Sequence, residues 1–128
     1  MSDTQTRPVK PVALAFLTWL CVLSPLLLLI TFLTLAAHVR FALGHWPTPM
    51  TESFGGPTYD AHERLVTWVG YFTVYIAIPL WLVMLCFRAF RVTLRHHLMQ
   101  FGVYVVGWGL ILIYVICDPG RFAEWFLD

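Results

Sequence analysis

The sequence has little charge. Asp, Glu, Lys and Arg make up 12% of its 128 residues, whereas 59% are hydrophobic. An ordinary soluble domain carries about 25% charged residues. So little polar surface cannot cover a water-soluble globule of this length, which excludes a soluble enzyme and a disordered chain. The net charge of +1 and the lack of a basic block also exclude nucleic acid as a partner.

Cysteine is scarce as well. Cys21, Cys86 and Cys117 form no CxxC pair and no zinc-type spacing, so we interpret them as apolar packing residues. The sequence also lacks a glycine-rich phosphate loop and a nucleophile with a base at a suitable spacing. We therefore expect neither a disulfide framework nor an enzymatic activity.

Long charge-free runs are what the sequence does have. Three of them can cross a hydrocarbon core of about 30 Å as helices: 12–37, 65–87 and 98–117. The first is too long for the core of a signal peptide, which has about 7–15 residues. We predict an all-α membrane protein, one domain over 1–128, with three transmembrane helices. The remaining parts are a tail (1–11), two loops (38–64 and 88–97) and a short interfacial C-terminal segment (118–128).

Basic residues near the ends of the spans predict the orientation. The N-terminal side carries five of them and the opposite side carries three. The first group is Arg7, Lys10, Arg88, Arg91 and Arg95, and the second is Arg40, Arg64 and Arg121. By the positive-inside rule, the N-terminus is cytoplasmic and the C-terminus lies outside. We expect an integral protein of a bacterial inner membrane.

Local signals predict where the helices begin and end. The first helix is expected to continue beyond its span to Gly44, a typical C-terminal cap. Asp60 with Glu63 three residues later forms a capping box, which predicts a helix start at Asp60. No glycine or proline interrupts the 88–97 loop, so we expect the second helix to persist to about Val92.

Two surface patterns indicate contacts with headgroups or a partner. Arg88, Arg91 and Arg95 share one helix face, which suits anionic lipid headgroups or an acidic protein. In the C-terminal segment, Asp118 and Pro119 can start a helical turn that gathers apolar side chains on one face. That face is formed by Phe122, Trp125 and Phe126. It can lie at the membrane interface or dock on a larger partner.

Small residues predict close helix packing. Gly70, Thr73 and Ala77 follow helical spacing in the second span, and Gly102 and Gly109 lie seven residues apart in the third. Such faces let backbones approach, either inside the chain or between chains. Two prolines, Pro25 and Pro79, each remove one backbone hydrogen bond within a span.

Hydroxyl and imidazole groups gather on the outer side. Ser24, Thr31 and His38 recur every seven residues and therefore lie on one side of the first helix. Together with residues of the other spans they predict a polar pocket beneath the 38–64 loop. Its members are Thr31, Thr34, His38, His62, Thr67, Tyr71 and Tyr114. The cluster can serve as hydrogen-bonded glue between helices or as a ligand site.

Histidines near this pocket leave a metal or haem site open. His38, His45 and His62 lie on the same side as several carboxylates, and His38 with His62 could ligate haem axially. Neither spacing is a metal motif, so we expect no cofactor. A quinone-like apolar ligand is a further possibility for the same pocket.

The spans contain no ionisable Asp, Glu, Lys or Arg, which argues against active transport. We therefore expect an accessory, assembly or structural subunit of a larger membrane complex, or a self-associating module. Its partners are then the lipid bilayer and other membrane protein subunits. The alternative is a membrane protein that binds a ligand, metal or haem in the outer pocket.

Overall fold

The computed structural model describes residues 11–49, 54–88, 94–118 and 120–127, and every regular element in these ranges is helical. The π-helical residues Phe72–Ile76 join α2 (Pro57–Tyr71) to α3 (Ala77–Arg88), so the two form one continuous rod. The predicted tail, apart from its last residue, and the predicted helix end near Val92 lie outside the described residues. The elements are α1 (Pro11–Leu43), α2 (Pro57–Tyr71), α3 (Ala77–Arg88), α4 (Leu94–Cys117) and α5 (Phe122–Leu127).

Three helical segments are long and apolar enough to cross a membrane: Ala13–Leu43, Pro57–Cys86 and Arg95–Cys117. This confirms the predicted fold class, an all-α membrane protein with three spanning helices and a short C-terminal helix. We call one end of the bundle the loop end; it carries residues 44–49, 54–56 and α5.

The first helix ends at the position predicted from Gly44. α1 reaches Leu43, and Gly44 adopts φ 77°, a conformation that costs glycine little. The Gly44 N–H donates to the Arg40 carbonyl at 2.9 Å, which closes the last turn. The prediction for this helix end is confirmed.

The predicted start of the second helix at Asp60 is wrong. α2 begins at Pro57, and no side chain caps it. Proline suits the first helical position because its φ is already helical and its missing N–H would have no partner there. Gly56, with φ 150°, leads the chain into this start. Asp60 instead lies in the first turn, where its charge favours the helix dipole.

α1 is the central helix of the bundle. It packs against α2, α3 and α4, whereas the α2–α3 rod and α4 meet at few points. One buried cluster near the loop end includes Leu35, Val39 and Phe122. A second cluster, towards the other end, includes Cys21 and Trp81.

The helices lie closest around Pro25 of α1. Pro25 cannot donate to the Cys21 carbonyl, and the Ser24 hydroxyl donates to that oxygen instead, at 2.8 Å. From the rod, the Thr73 hydroxyl shares its proton between the Val69 carbonyl of the same rod, at 2.7 Å, and the Ser24 carbonyl of α1, at 3.2 Å. On the α4 side, a Cβ added at Gly107 would lie 3.0 Å from the Pro25 Cβ. These contacts fix both flanking helices against α1.

The predicted packing residues of the rod face the inside of the bundle, whereas those of α4 do not. In the rod, Thr73 and Ala77 are buried, and Gly70 faces Leu28 of α1. In α4, Gly102 and Gly109 point away from the bundle, with no described atom within 4 Å of an added Cβ. The glycine of α4 that packs inside the chain is Gly107.

The C-terminal segment folds back onto the loop end. The Asp118 carboxylate accepts hydrogen bonds from the backbone N–H groups of Ala123 and Glu124, at 3.0 and 3.2 Å, and so caps α5. The helix begins at Phe122, four residues after Asp118. Phe122 is fully buried, and its ring lies 5.3 Å from that of Phe32. It therefore belongs to the core of the chain.

Candidate functional site

Thr34, His38 and His62 come together where α1 and α2 meet near the loop end. The Thr34 hydroxyl donates to the Thr31 carbonyl at 2.9 Å and lies 3.1 Å from His62 Nε2. When the Thr34 proton goes to the Thr31 carbonyl, His62 Nε2 carries the hydrogen and donates to the Thr34 oxygen. The His38 ring meets the His62 ring edge to face, with centroids 5.9 Å apart. Three of the seven predicted pocket residues thus form one cluster.

The other four residues lie elsewhere. The Thr31 hydroxyl donates to carbonyls of its own helix, at 2.9 and 3.0 Å. Thr67 and Tyr114 line an apolar crevice. Tyr71 is exposed on the outward face of α2. The structure therefore does not bring the seven side chains into one pocket.

The described residues do not assemble the three-histidine or histidine–carboxylate metal site that the sequence left open. Among them, no group of three or more His, Cys, Asp or Glu side chains is placed to hold a metal ion. His45 has its Nδ1 2.9 Å from the Trp46 carbonyl oxygen. His62 has its Nε2 engaged by Thr34.

The predicted surface residues are described only in part. Arg95 is exposed at the start of α4, Arg88 is described by its backbone alone, and Arg91 lies outside the described residues. Trp125 and Phe126 are half-buried beside the core cluster at the loop end.

An apolar crevice opens between α2 and α4 at the loop end. Its volume is about 260 Å³; α1 forms its floor, and Ala123 and Phe126 of α5 close its top. It exists because the flanking helices both pack on α1 and little on each other. Its walls include Leu28, Phe32, Thr67, Gly70, Ile111 and Tyr114. Such a crevice can hold an apolar chain.

A buried polar cluster, absent from the sequence predictions, lies at the other end of the bundle. Gln100 is fully buried, yet neither of its side-chain polar atoms has a hydrogen-bond partner among the described residues. In the described part of the chain, three further buried atoms also lack a hydrogen-bond partner: Trp81 Nε1, His97 Nδ1 and the Tyr104 hydroxyl oxygen. Each such group costs roughly 1–3 kcal/mol. The helical spacing from His97 through Gln100 and Tyr104 to Gly107 is the sequence signal that could have found the three polar residues of α4.

One outward face of the rod carries polar and aromatic side chains from the start of α2 into the second membrane span. We call it the tyrosine face, and it consists of Asp60, Glu63, Arg64, Thr67, Trp68, Tyr71 and Tyr75. Tyr71 and Tyr75 are 56% and 67% exposed, and their rings stack with centroids 5.8 Å apart. Within the described part of the chain, no hydrogen bond or ion pair engages a polar group of this face.

The described geometry defines a class, the small polytopic membrane proteins with three spanning helices. Compared with known protein families, curated proteins and solved structures, the chain matches none.

Proposed function

We propose that this chain is a structural or assembly subunit of a larger membrane complex, with its N-terminus in the cytoplasm of a bacterial cell. The observation that carries the proposal is Tyr75, a 67% exposed residue in the middle of the second span whose hydroxyl has no partner among the described residues.

The depth of Tyr75 follows from the charges that bracket the rod. Arg64 and Arg88 lie about 36 Å apart at a rise of about 1.5 Å per residue, and Tyr75 is within one residue of their midpoint. Tyr71, one turn nearer to Arg64, can extend its hydroxyl to the headgroups. Tyr75 lies about 16 Å from Arg64 along the rod, farther than its side chain can reach.

Lipid is a poor neighbour for this hydroxyl. A hydroxyl buried in hydrocarbon without a hydrogen bond costs roughly 2–7 kcal/mol, depending on the reference state. A protein that covers the tyrosine face could supply the missing partner.

Photocrosslinking in the native membrane tests the proposal. A photoreactive phenylalanine analogue in place of Tyr75 should yield protein adducts. The same analogue in place of Phe16, which is 70% exposed on α1, is the matched control and should react mainly with lipid. Lipid adducts alone at both positions would refute the proposal.

The apolar crevice favours a second candidate function, the binding of an apolar ligand such as a lipid chain. The substitution Ile111→Trp would fill the crevice, whereas Leu112→Trp places the same bulk on the exposed side of α4. We expect Ile111→Trp alone to lower the amount of lipid retained after detergent exchange, as measured by mass spectrometry. Equal retention in both variants would contradict this function.

A further inference from the structure

We infer that the tyrosine face is the contact between two copies of this chain, related by a two-fold axis along the membrane normal. The inference rests on the proposed function, since it names the protein that covers Tyr75. It follows from how charges and hydroxyls are distributed across the face.

The charges of the face are divided by sign. At about 100° per residue, Arg64 lies to one side of Tyr71, and Asp60 and Glu63 lie to the other side. All three belong to the first turns of α2, at the end of the rod where headgroups are expected. None of them takes part in an ion pair within the described chain.

A two-fold axis through Tyr71 makes the charges on the tyrosine faces of the two copies complementary. When two parallel helices face each other across such an axis, the right side of one face meets the left side of the other. Arg64 of each copy then lies against Asp60 and Glu63 of the other copy. Two symmetric sets of ion pairs can then form at the same end of the two rods.

The same axis provides a partner for Tyr75. Tyr71 and Tyr75 are one turn apart, and their rings stack in a column along the rod. Copies inserted in the same direction place Tyr75 opposite Tyr75 at equal depth. A tyrosine hydroxyl both donates and accepts, so two copies of one residue can hydrogen-bond to each other. The face is therefore complementary to itself in charge and in hydrogen bonding.

Charge variants of the full-length chain in lipid bilayers test the inference. The variant Arg64→Glu leaves only acidic charges on the face, and Asp60→Lys with Glu63→Lys leaves only basic charges. Energy transfer between differently labelled copies reports association. We expect each variant alone to associate about tenfold more weakly than the natural chain. An equal mixture of the two variants should recover to within about threefold, and high salt should reduce these differences.

The hydroxyl is tested separately. Tyr75→Phe should weaken association about threefold, the average effect of a hydrogen bond between membrane helices. The control Ile113→Ala changes an exposed residue of α4, outside the face, and should leave association unchanged. Circular dichroism checks that all variants keep their helix content.

Three results would overturn the inference. One is a natural chain that stays monomeric in bilayers at all protein-to-lipid ratios. Another is a mixture of the charge variants that associates no better than either alone, and the third is a Tyr75→Phe variant that associates as well as the natural chain. If the copies do not associate but photocrosslinking at position 75 captures a different protein, the two-fold contact is wrong and the proposed function stands. If position 75 captures only lipid, both are wrong.

Discussion

Replacing Gly107 with alanine probes the contact that sets α4 against α1. The new Cβ would lie 3.0 Å from the Pro25 Cβ and 3.4 Å from the backbone nitrogen of Leu26. These atoms belong to a proline ring and a helix backbone, so they cannot move aside as a flexible side chain would. Overpacking of this kind costs about 1–3 kcal/mol.

Gly109→Ala is the matched control, because nothing in the described chain lies within 4 Å of its added Cβ. Both substitutions remove one glycine from the same helix, so the gain in helix propensity is common to both. The free energy of unfolding of Gly107→Ala should therefore fall below that of Gly109→Ala by about 1–3 kcal/mol. Reversible unfolding in bicelles, followed by tryptophan fluorescence, measures the difference. Equal stability of the two variants would refute the packing of Gly107 on Pro25.

Two further predictions concern the C-terminal segment. Phe122→Ala should lower the free energy of unfolding by about 3–5 kcal/mol, because Phe122 is fully buried, whereas Leu127→Ala, at a 77% exposed position, should change it little in the same assay. Arg121 holds the pKa of Glu124 below its usual value, mainly through its hydrogen bonds to the carboxylate at 2.7 and 2.6 Å. The stabilisation from this pair is thus present above the ordinary glutamate pKa and is lost as the pH falls through the lowered value. Arg121→Gln should raise the pKa of Glu124 in an NMR titration, and an unchanged pKa would show that the pair does not form in solution.

Features governed by neighbouring residues were predictable from the sequence. The spans and the end of α1 at Gly44 depend on local composition and on one glycine cap. The start of α2 was mispredicted because two local signals compete. A proline at the first helical position sets the backbone directly, and it acts three residues before Asp60.

The inward faces of the spans were not predictable, since the inward and the lipid-facing sides of a membrane helix are both largely apolar. The spacing of Gly102 and Gly109 therefore predicted packing without showing which side packs. The close approach of Pro25 and Leu26 on α1 selects Gly107 for the inside of the chain.

The candidate sites depend on contacts between distant segments. The Thr34–His62 hydrogen bond joins residues 28 positions apart, so no local pattern marks it. The apolar face of the C-terminal segment was predicted. Its place in the core was not, because that depends on how Phe122 meets Phe32.

The surroundings of Tyr75 test the central claim most directly. In bilayers made with protonated lipids, NMR cross-peaks to acyl chains can be compared for the Tyr75 ring and the Ile113 methyl groups of the unmodified chain. The account predicts strong lipid cross-peaks at Ile113 and weak ones at Tyr75, with a contact between the Tyr75 rings of two differently labelled copies. Lipid cross-peaks at Tyr75 as strong as those at Ile113 would contradict it.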